Sequence, residues 1–127
     1  MCVRQQSSSF NLLIAGGRDF SNYDLLVRRC AAYIAENCDA LEPTILSGRA
    51  SGADSLDERF AKEYGLECMY FPAQWEKFGR AAGPMRNREM AQVADGAVVF
   101  WDGRSRGTRS MIGYLRQKGV PFEVISY

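Results

Sequence analysis

Three short glycine-rich segments hold the residues best suited to bind a phosphate group. They are Gly16-Gly17-Arg18-Asp19, then Ser47-Gly48-Arg49-Ala50-Ser51-Gly52-Ala53-Asp54, and last Asp102-Gly103-Arg104-Ser105-Arg106-Gly107-Thr108. Glycine lets a backbone turn sharply and approach a ligand closely. Where such a segment leads into a helix, the exposed N–H groups and the partial positive charge of the helix end attract anions. The arginines add charge-assisted hydrogen bonds. Together the segments predict an anion-binding site.

Each segment also has a purely structural explanation. Gly16 and Gly17 are typical of a simple strand-to-helix turn. Asp54 and Thr108 stand near helix starts, so capping explains them as well as a ligand contact does. The Ser47–Asp54 segment matches neither the P-loop nor the GxGxxG spacing. It is the occurrence of all three in one small chain that favours a binding site.

A long segment between the third and fourth predicted strands adds further candidates. Trp75 is able to stack on a nucleobase or simply to cover the sheet edge. Arg86 and Asn87, early on a predicted helix, are placed to reach a phosphate or a sugar. Glu89 lies three residues after Arg86, so those two can instead pair along the helix.

The elements that must position these residues alternate along the chain. Apolar runs predict strands over 11–15, 44–46, 67–71, 96–101 and 121–125, and helical spacing predicts helices over 22–36, 53–64, 84–93 and 107–118, with a loop after residue 71. This alternation implies βαβ units and a parallel sheet. We therefore predict an α/β, three-layer, Rossmann-like fold with an open, mainly parallel five-stranded sheet. In such a sheet the carboxyl ends of the strands share one edge, which brings the glycine-rich segments together.

The composition excludes several kinds of site. The chain has no histidine, which rules out Ser-His-Asp nucleophile systems and histidine-containing zinc sites. Its 4 cysteines show no CxxC spacing, so we predict no metal site, and Cys30 and Cys38 are interpreted as buried thiols in a reducing cytoplasm. No apolar run approaches a membrane span. We predict a flexible tail over residues 1–9 and a single domain over residues 10–127, because a chain of 127 residues has the length of one domain.

Four segments resemble a known family. In order they are IAGGRDF, LSGRASGADSLDERFAKEYG, PAQWEKFGRAAGPMRNREMA and ADGAVVFWDGRSRGTRSMI. They look like the YspA-type, YpsA-related branch of the SLOG superfamily, over about residues 10–126. That superfamily groups Rossmann-like proteins related to the DNA-processing protein DprA and to the LOG phosphoribohydrolases. The resemblance implies a bacterial or phage protein with a nucleotide-like ligand (AMP, ADP-ribose or an NAD-like compound) at the carboxyl edge, and no other cofactor.

Three functions compete on this evidence. The first is binding of a nucleotide derivative, in the manner of a sensor. The second is a phosphoribohydrolase-like enzyme that cleaves an N-glycosidic or phosphoribosyl bond, with Arg86, Glu89 and Asp102 as candidate catalytic residues. The third is single-stranded DNA binding, against which stand a formal net charge of +1 and the lack of a basic stripe with interleaved aromatics.

A surplus of apolar and aromatic side chains late in the chain predicts a homodimer. Methionines and aromatics are enriched in interface cores, and SLOG relatives are commonly oligomeric. The alternative is that the same residues line the core between sheet and helices. They are Phe78, Met85, Met90, Met111, Tyr114 and Tyr127.

We expect no LOG-type release of adenine from AMP. LOG enzymes use an arginine in an Arg-Lys-x-x-Met stretch, to which Arg86–Met90 is similar, and a glutamate in a Pro-Gly-Gly-x-Gly-Thr-x-x-Glu motif. Here Met111 follows Gly107-Thr108 at the glutamate position. Loss of such a positioned group typically costs roughly 10²- to 10⁴-fold in rate. Chromatography of AMP incubated with the protein, against a heat-denatured sample, measures free adenine; release at an ordinary enzyme rate would contradict the expectation.

Overall fold

The computed structural model describes residues 9–17, 19–38, 42–48 and 53–127, with side chains from residue 56 onward in the last range. The elements along the chain are β1 (Ser9–Gly16), α1 (Tyr23–Asn37), β2 (Glu42–Ser47), α2 (Ala53–Glu63), β3 (Glu67–Tyr70), α3 (Trp75–Phe78), a 3-10 turn (Gly79–Ala81), α4 (Ala82–Val93), β4 (Gly96–Trp101), α5 (Arg106–Lys118) and β5 (Phe122–Ser126).

The strands form one five-stranded sheet in the order β3-β2-β1-β4-β5, and every neighbouring pair is parallel. This confirms the predicted α/β fold and adds the strand order. The chain runs outward from β1 through β2 to β3, then crosses back to place β4 on the other side of β1. The carboxyl ends of all five strands therefore lie at one edge, and the order reverses between β1 and β4.

Alternate residues of the central strands pack into two separate hydrophobic cores, one on each face of the sheet. On one face Leu12 and Ile14 of β1 join buried residues of α1 and α2, such as Leu26 and Phe60. On the other face Leu13 and its neighbours join buried residues of α4 and α5. Because side chains alternate along a strand, one apolar run serves both cores. The result is a three-layer arrangement with α1 and α2 on one side and α4 and α5 on the other.

The helix ends follow ordinary capping chemistry. The side chain of Asn22 accepts a hydrogen bond from the Leu25 amide at 3.0 Å and caps the start of α1. Gly119 closes α5 with a left-handed φ of 73°, as predicted, because only glycine adopts this conformation without a steric penalty.

The segment after residue 71, predicted as a loop, contains helical structure. The carbonyl of Gln74 accepts hydrogen bonds from the amides of Lys77 and Phe78, at 3.1 and 3.0 Å, which closes the single turn of α3. Gly79 then ends that turn at a φ of 58°. One turn is too short to show helical periodicity in the sequence, so the prediction was wrong here.

Two of the six residues offered for a dimer interface lie in the core. Met90 and Met111 are each 2% exposed and pack between the sheet and its helices, which is the alternative given for the whole set. Phe78, Met85 and Tyr127 remain substantially exposed, so the homodimer stays a prediction that depends on them.

Burial also accounts for the cysteines of α1 and its end. Cys30 and Cys38 are both buried, as predicted. Burial raises the pKa of the Cys30 thiol, which keeps it protonated and unreactive. Within the described ranges, no helix is long and apolar enough to cross a membrane.

Gly96→Ala is expected to lower the free energy of unfolding by about 1–3 kcal/mol, the usual cost of an extra methyl group in a packed core. A Cβ at Gly96 would overlap the Tyr33 hydroxyl and lie 3.0 Å from Cζ of Phe10. Tyr33 would then lose its hydrogen bond to the Pro121 carbonyl, now 3.3 Å long. Thermal melting measures the change, at about 4 °C per kcal/mol for a domain of this size.

Gly113→Ala is the matched control. Gly113 lies inside α5, and a Cβ there meets nothing within 4 Å. Alanine should therefore raise the free energy of unfolding by about 0.5–1 kcal/mol through helix propensity. The expected result is a loss of stability for Gly96→Ala and a gain for Gly113→Ala; a Gly96→Ala variant as stable as the parent would show that the contact at Gly96 is not tight.

Candidate ligand-binding cleft

A cleft of about 970 Å³ opens at the carboxyl edge of the sheet. The loops after β1, β2, β3 and β4 all contribute to it, and the first turns of α4 and α5 form much of its wall. Twelve residues predicted for the site line it, namely Gly16, Gly17, Asp19, Gly48, Trp75, Arg86, Asn87, Asp102, Ser105, Arg106, Gly107 and Thr108.

The loop between β4 and α5 is held in shape by Asp102. One carboxylate oxygen of Asp102, Oδ1, accepts the backbone amides of Arg104 and Ser105 at 2.8 and 2.9 Å. These two hydrogen bonds hold the pKa of Asp102 below its usual range. On the other side of the loop, Nε1 of Trp101 donates to the Ser105 carbonyl at 3.1 Å. Asp102 is therefore ionised, and its carboxylate stabilises the conformation of the loop.

The start of α5 is capped by Ser105, not by Thr108. The Ser105 hydroxyl oxygen accepts the Thr108 amide at 3.3 Å and the Thr108 hydroxyl at 3.1 Å. From the sequence, Thr108 was offered as the capping residue, and that alternative was wrong, because the helix begins at Arg106 and its cap is Ser105. Thr108 is instead buried, with 4% of its surface exposed.

Two backbone amides at this helix start lack an acceptor within the described part of the chain. Among the residues that the structure describes, no group accepts the N–H of Arg106 or of Gly107. The first turn of α5 has no acidic residue, although a helix N-terminus favours negative charge there. Arg106 occupies its first position instead. The helix start therefore carries positive charge, while the ionised Asp102 lies at the beginning of the preceding loop.

Arg86 and Asn87 connect the two sides of the cleft. Nη1 of Arg86 donates to the Gly48 carbonyl after β2 at 2.6 Å, and its Nε donates to Oδ1 of Asn87 at 2.9 Å. Nδ2 of Asn87 in turn donates to the Gly107 carbonyl in α5 at 3.3 Å. Sequence reasoning placed both residues near the edge. It had no signal for these bridges, which span 38 and 20 residues.

The loop after β1 is held by a residue from beyond β5. The Tyr127 hydroxyl donates to Oδ1 of Asp19 at 2.7 Å, and the Tyr127 ring packs edge-on against Phe20. Burial, and next the bond to Asp19, raise the pKa of Tyr127. A Cβ on Gly17 would overlap the Tyr127 hydroxyl, so a larger residue here would displace Tyr127 from its bond to Asp19.

A second wall of the cleft is apolar, and sequence reasoning missed most of it. It consists of Trp75 with four small or ring-shaped neighbours, Pro72, Ala73, Gly83 and Pro84. The Gly83-Pro84 pair was the available signal, since glycine is unusual in the first turn of a helix. Met90, Ser110 and Met111 also line the cleft without having been proposed as ligand contacts.

Among the remaining predicted residues, those that the structure describes are not part of the lining. Ser47 is buried and its hydroxyl donates to Oε2 of Glu58 at 3.3 Å. Gly103, in the loop between β4 and α5, adopts a left-handed φ of 84°. This conformation favours glycine and explains the residue without a ligand. Glu89 is exposed on α4. Arg18, Gly52 and the side chain of Asp54 lie outside the described residues; α2 begins at Ala53, which makes Asp54 its second residue.

Comparison with known proteins supports the resemblance noted from the motifs. The model of the YspA, cpYpsA-related SLOG family matches residues 10–78. The chain is also 34% identical over 83 residues to the "Gene 61 protein" of Mycobacterium phage D29, an alignment that covers 61% of this chain and 66% of the phage protein. No solved structure matches the chain significantly.

Asn87→Ala is expected to lower the free energy of unfolding by about 1–3 kcal/mol, because it removes the two part-buried hydrogen bonds, worth about 0.5–1.5 kcal/mol each, that the buried Asn87 amide makes with its partners. Those partners are Nε of Arg86 and the Gly107 carbonyl. Gln92→Ala, an exposed change on the same helix, is the control and should stay within about 0.5 kcal/mol of the parent. Urea denaturation measures both; equal midpoints would show that the bridge contributes nothing to stability.

Proposed function

The chain belongs to the YspA, cpYpsA-related SLOG family, and from this membership and the cleft we propose that it binds a nucleotide or a nucleotide derivative such as AMP, ADP-ribose or an NAD-like compound. The observation that carries the proposal is the first turn of α5, where two amides without an acceptor among the described residues and the side chain of Arg106 line the cleft. A phosphate group offers acceptors for these amides and a counter-charge for Arg106.

The rest of the cleft suits the other parts of such a ligand. Its volume of about 970 Å³ lies at the upper end of the roughly 300–1,000 Å³ typical of small-molecule sites. Arg86 adds a second positive group that is already oriented by its bonds to Gly48 and Asn87. Asp19, at the loop after β1, offers carboxylate oxygens, which accept hydrogen bonds from ribose hydroxyls.

Binding accounts for the cleft better than hydrolysis does. The carboxylate of Asp102 lines the cleft, but its lowered pKa and its two amide bonds suit a structural anion and not a proton donor. Glu89 is exposed and is not part of the lining. Met111 lines the cleft at the position that a glutamate holds in LOG enzymes. We therefore place binding first and nucleotide hydrolysis second.

Thermal melting in the presence of AMP, ADP-ribose or NAD tests the proposal. A ligand at about 100 times its dissociation constant stabilises a protein by about 2.7 kcal/mol, which is a shift of several degrees here. We expect at least one of the three compounds, at millimolar concentration, to raise the melting temperature. Flat melting curves for all three would count decisively against nucleotide binding.

Gly107→Leu and Gly113→Leu form a matched pair of variants for the same assay. Both glycines lie in α5, and a Cβ at either position meets nothing within 4 Å. Only Gly107 lines the cleft. The leucine at Gly107 should remove the ligand-induced shift, whereas the leucine at Gly113 should preserve it. If the shift persists at Gly107→Leu, the phosphate site lies elsewhere.

A further inference from the structure

Resting on the proposed function, we propose that Trp75 and the start of α4 form the subsite for the nucleobase, and that the subsite prefers purines. The cleft has two chemically different walls. One wall, at the start of α5, carries Arg106 and its amides, while another is built from Trp75, Pro72, Ala73, Gly83 and Pro84. A ligand that fits both walls has an anionic end and a flat apolar end.

Trp75 is exposed although it is held in place. Of its surface, 54% is accessible, which is high for the largest apolar side chain in a small domain. Its ring lies against the backbone of α4, because a Cβ on Gly83 would sit only 3.2 Å from Cη2 of the indole. Gly83 itself is buried. The glycine thus lets the Cη2 edge of the indole approach the helix start closely, and this contact orients the ring before any ligand arrives.

The wall around Trp75 offers few hydrogen-bonding groups. Pro72 and Pro84 have no backbone N–H, and Ala73 and Gly83 have no polar side chain. Recognition by such a wall depends on stacking and burial, not on the pattern of donors and acceptors at the edge of a base. Stacking tolerates a change from adenine to guanine, because both present a similar π-face, but it weakens with the smaller ring of a pyrimidine.

Calorimetric titration with AMP, CMP and ribose 5-phosphate tests this assignment. For the parent chain we expect AMP to bind more tightly than CMP. Trp75→Ala should weaken AMP binding by roughly 5- to 150-fold, the usual range for loss of one base-stacking aromatic. The affinity for ribose 5-phosphate, which has no base, should be unchanged. Trp75→Phe keeps an aromatic face and should retain most of the AMP affinity.

Phe78→Ala is the matched control. Phe78 is an exposed aromatic residue of the same short helix, α3, and does not line the cleft. It should leave all three affinities unchanged. Trp75→Leu keeps apolar bulk without an aromatic face, so it supplies the same comparison if the alanine variant folds poorly.

The outcomes separate the subsite from the proposed function. AMP binding that is the same in the parent, Trp75→Ala and Trp75→Leu would overturn the subsite and leave nucleotide binding intact. Equal losses for AMP and ribose 5-phosphate would mean that Trp75 supports the cleft as a whole, which also overturns the subsite. CMP binding as tight as AMP would refute the purine preference. A parent chain that binds none of the three probes would overturn the subsite, whereas the proposed function is overturned only by flat melting curves with AMP, ADP-ribose and NAD.

Discussion

The parallel pairing of β1 with β2 on one side and β4 on the other is the constraint on which the cleft depends. The chain leaves β1 and β2 toward one face of the sheet and leaves β3 and β4 toward the other. Between the ends of β1 and β4 the two sets of connections diverge, and an open α/β sheet has its crevice at such a point. Gly16 lies at the end of the central strand, paired with Phe100 of β4, so both walls form around it.

Most of the fold could be predicted because its elements have strong local signals. The strand Gly96–Trp101 was predicted with its observed bounds, since a central parallel strand is apolar on both faces. Gly119 marked the end of α5 through its left-handed conformation. Strand order has no comparable local signal, because it depends on which faces meet after folding. The single turn of α3 was missed because four residues do not show a period.

The candidate site was predictable in its location but not in the roles of its residues. The glycine-rich segments follow the carboxyl ends of predicted strands. In a parallel sheet all these ends lie at one edge, so the location of the site follows from the direction of the chain. Ser105 and Thr108 carry the same functional group near the same helix start, and only the geometry assigns the cap to Ser105. The bond from Tyr127 to Asp19 spans 108 residues. No pattern within a short window of sequence can report such a contact.

The hydrogen bonds of Arg86 and Asn87 have a mechanical consequence. Two adjacent residues on α4 hold the backbone of two walls of the cleft, namely the loop after β2 at Gly48 and the start of α5 at Gly107. The gap between those walls is therefore set by the position of α4 and not by each loop separately. Asn87 is largely buried and α4 also packs on α5, so the helix acts as a rigid spacer. Any shift of α4 therefore moves the loop after β2 and the start of α5 together, so both sides of the cleft opening change at once.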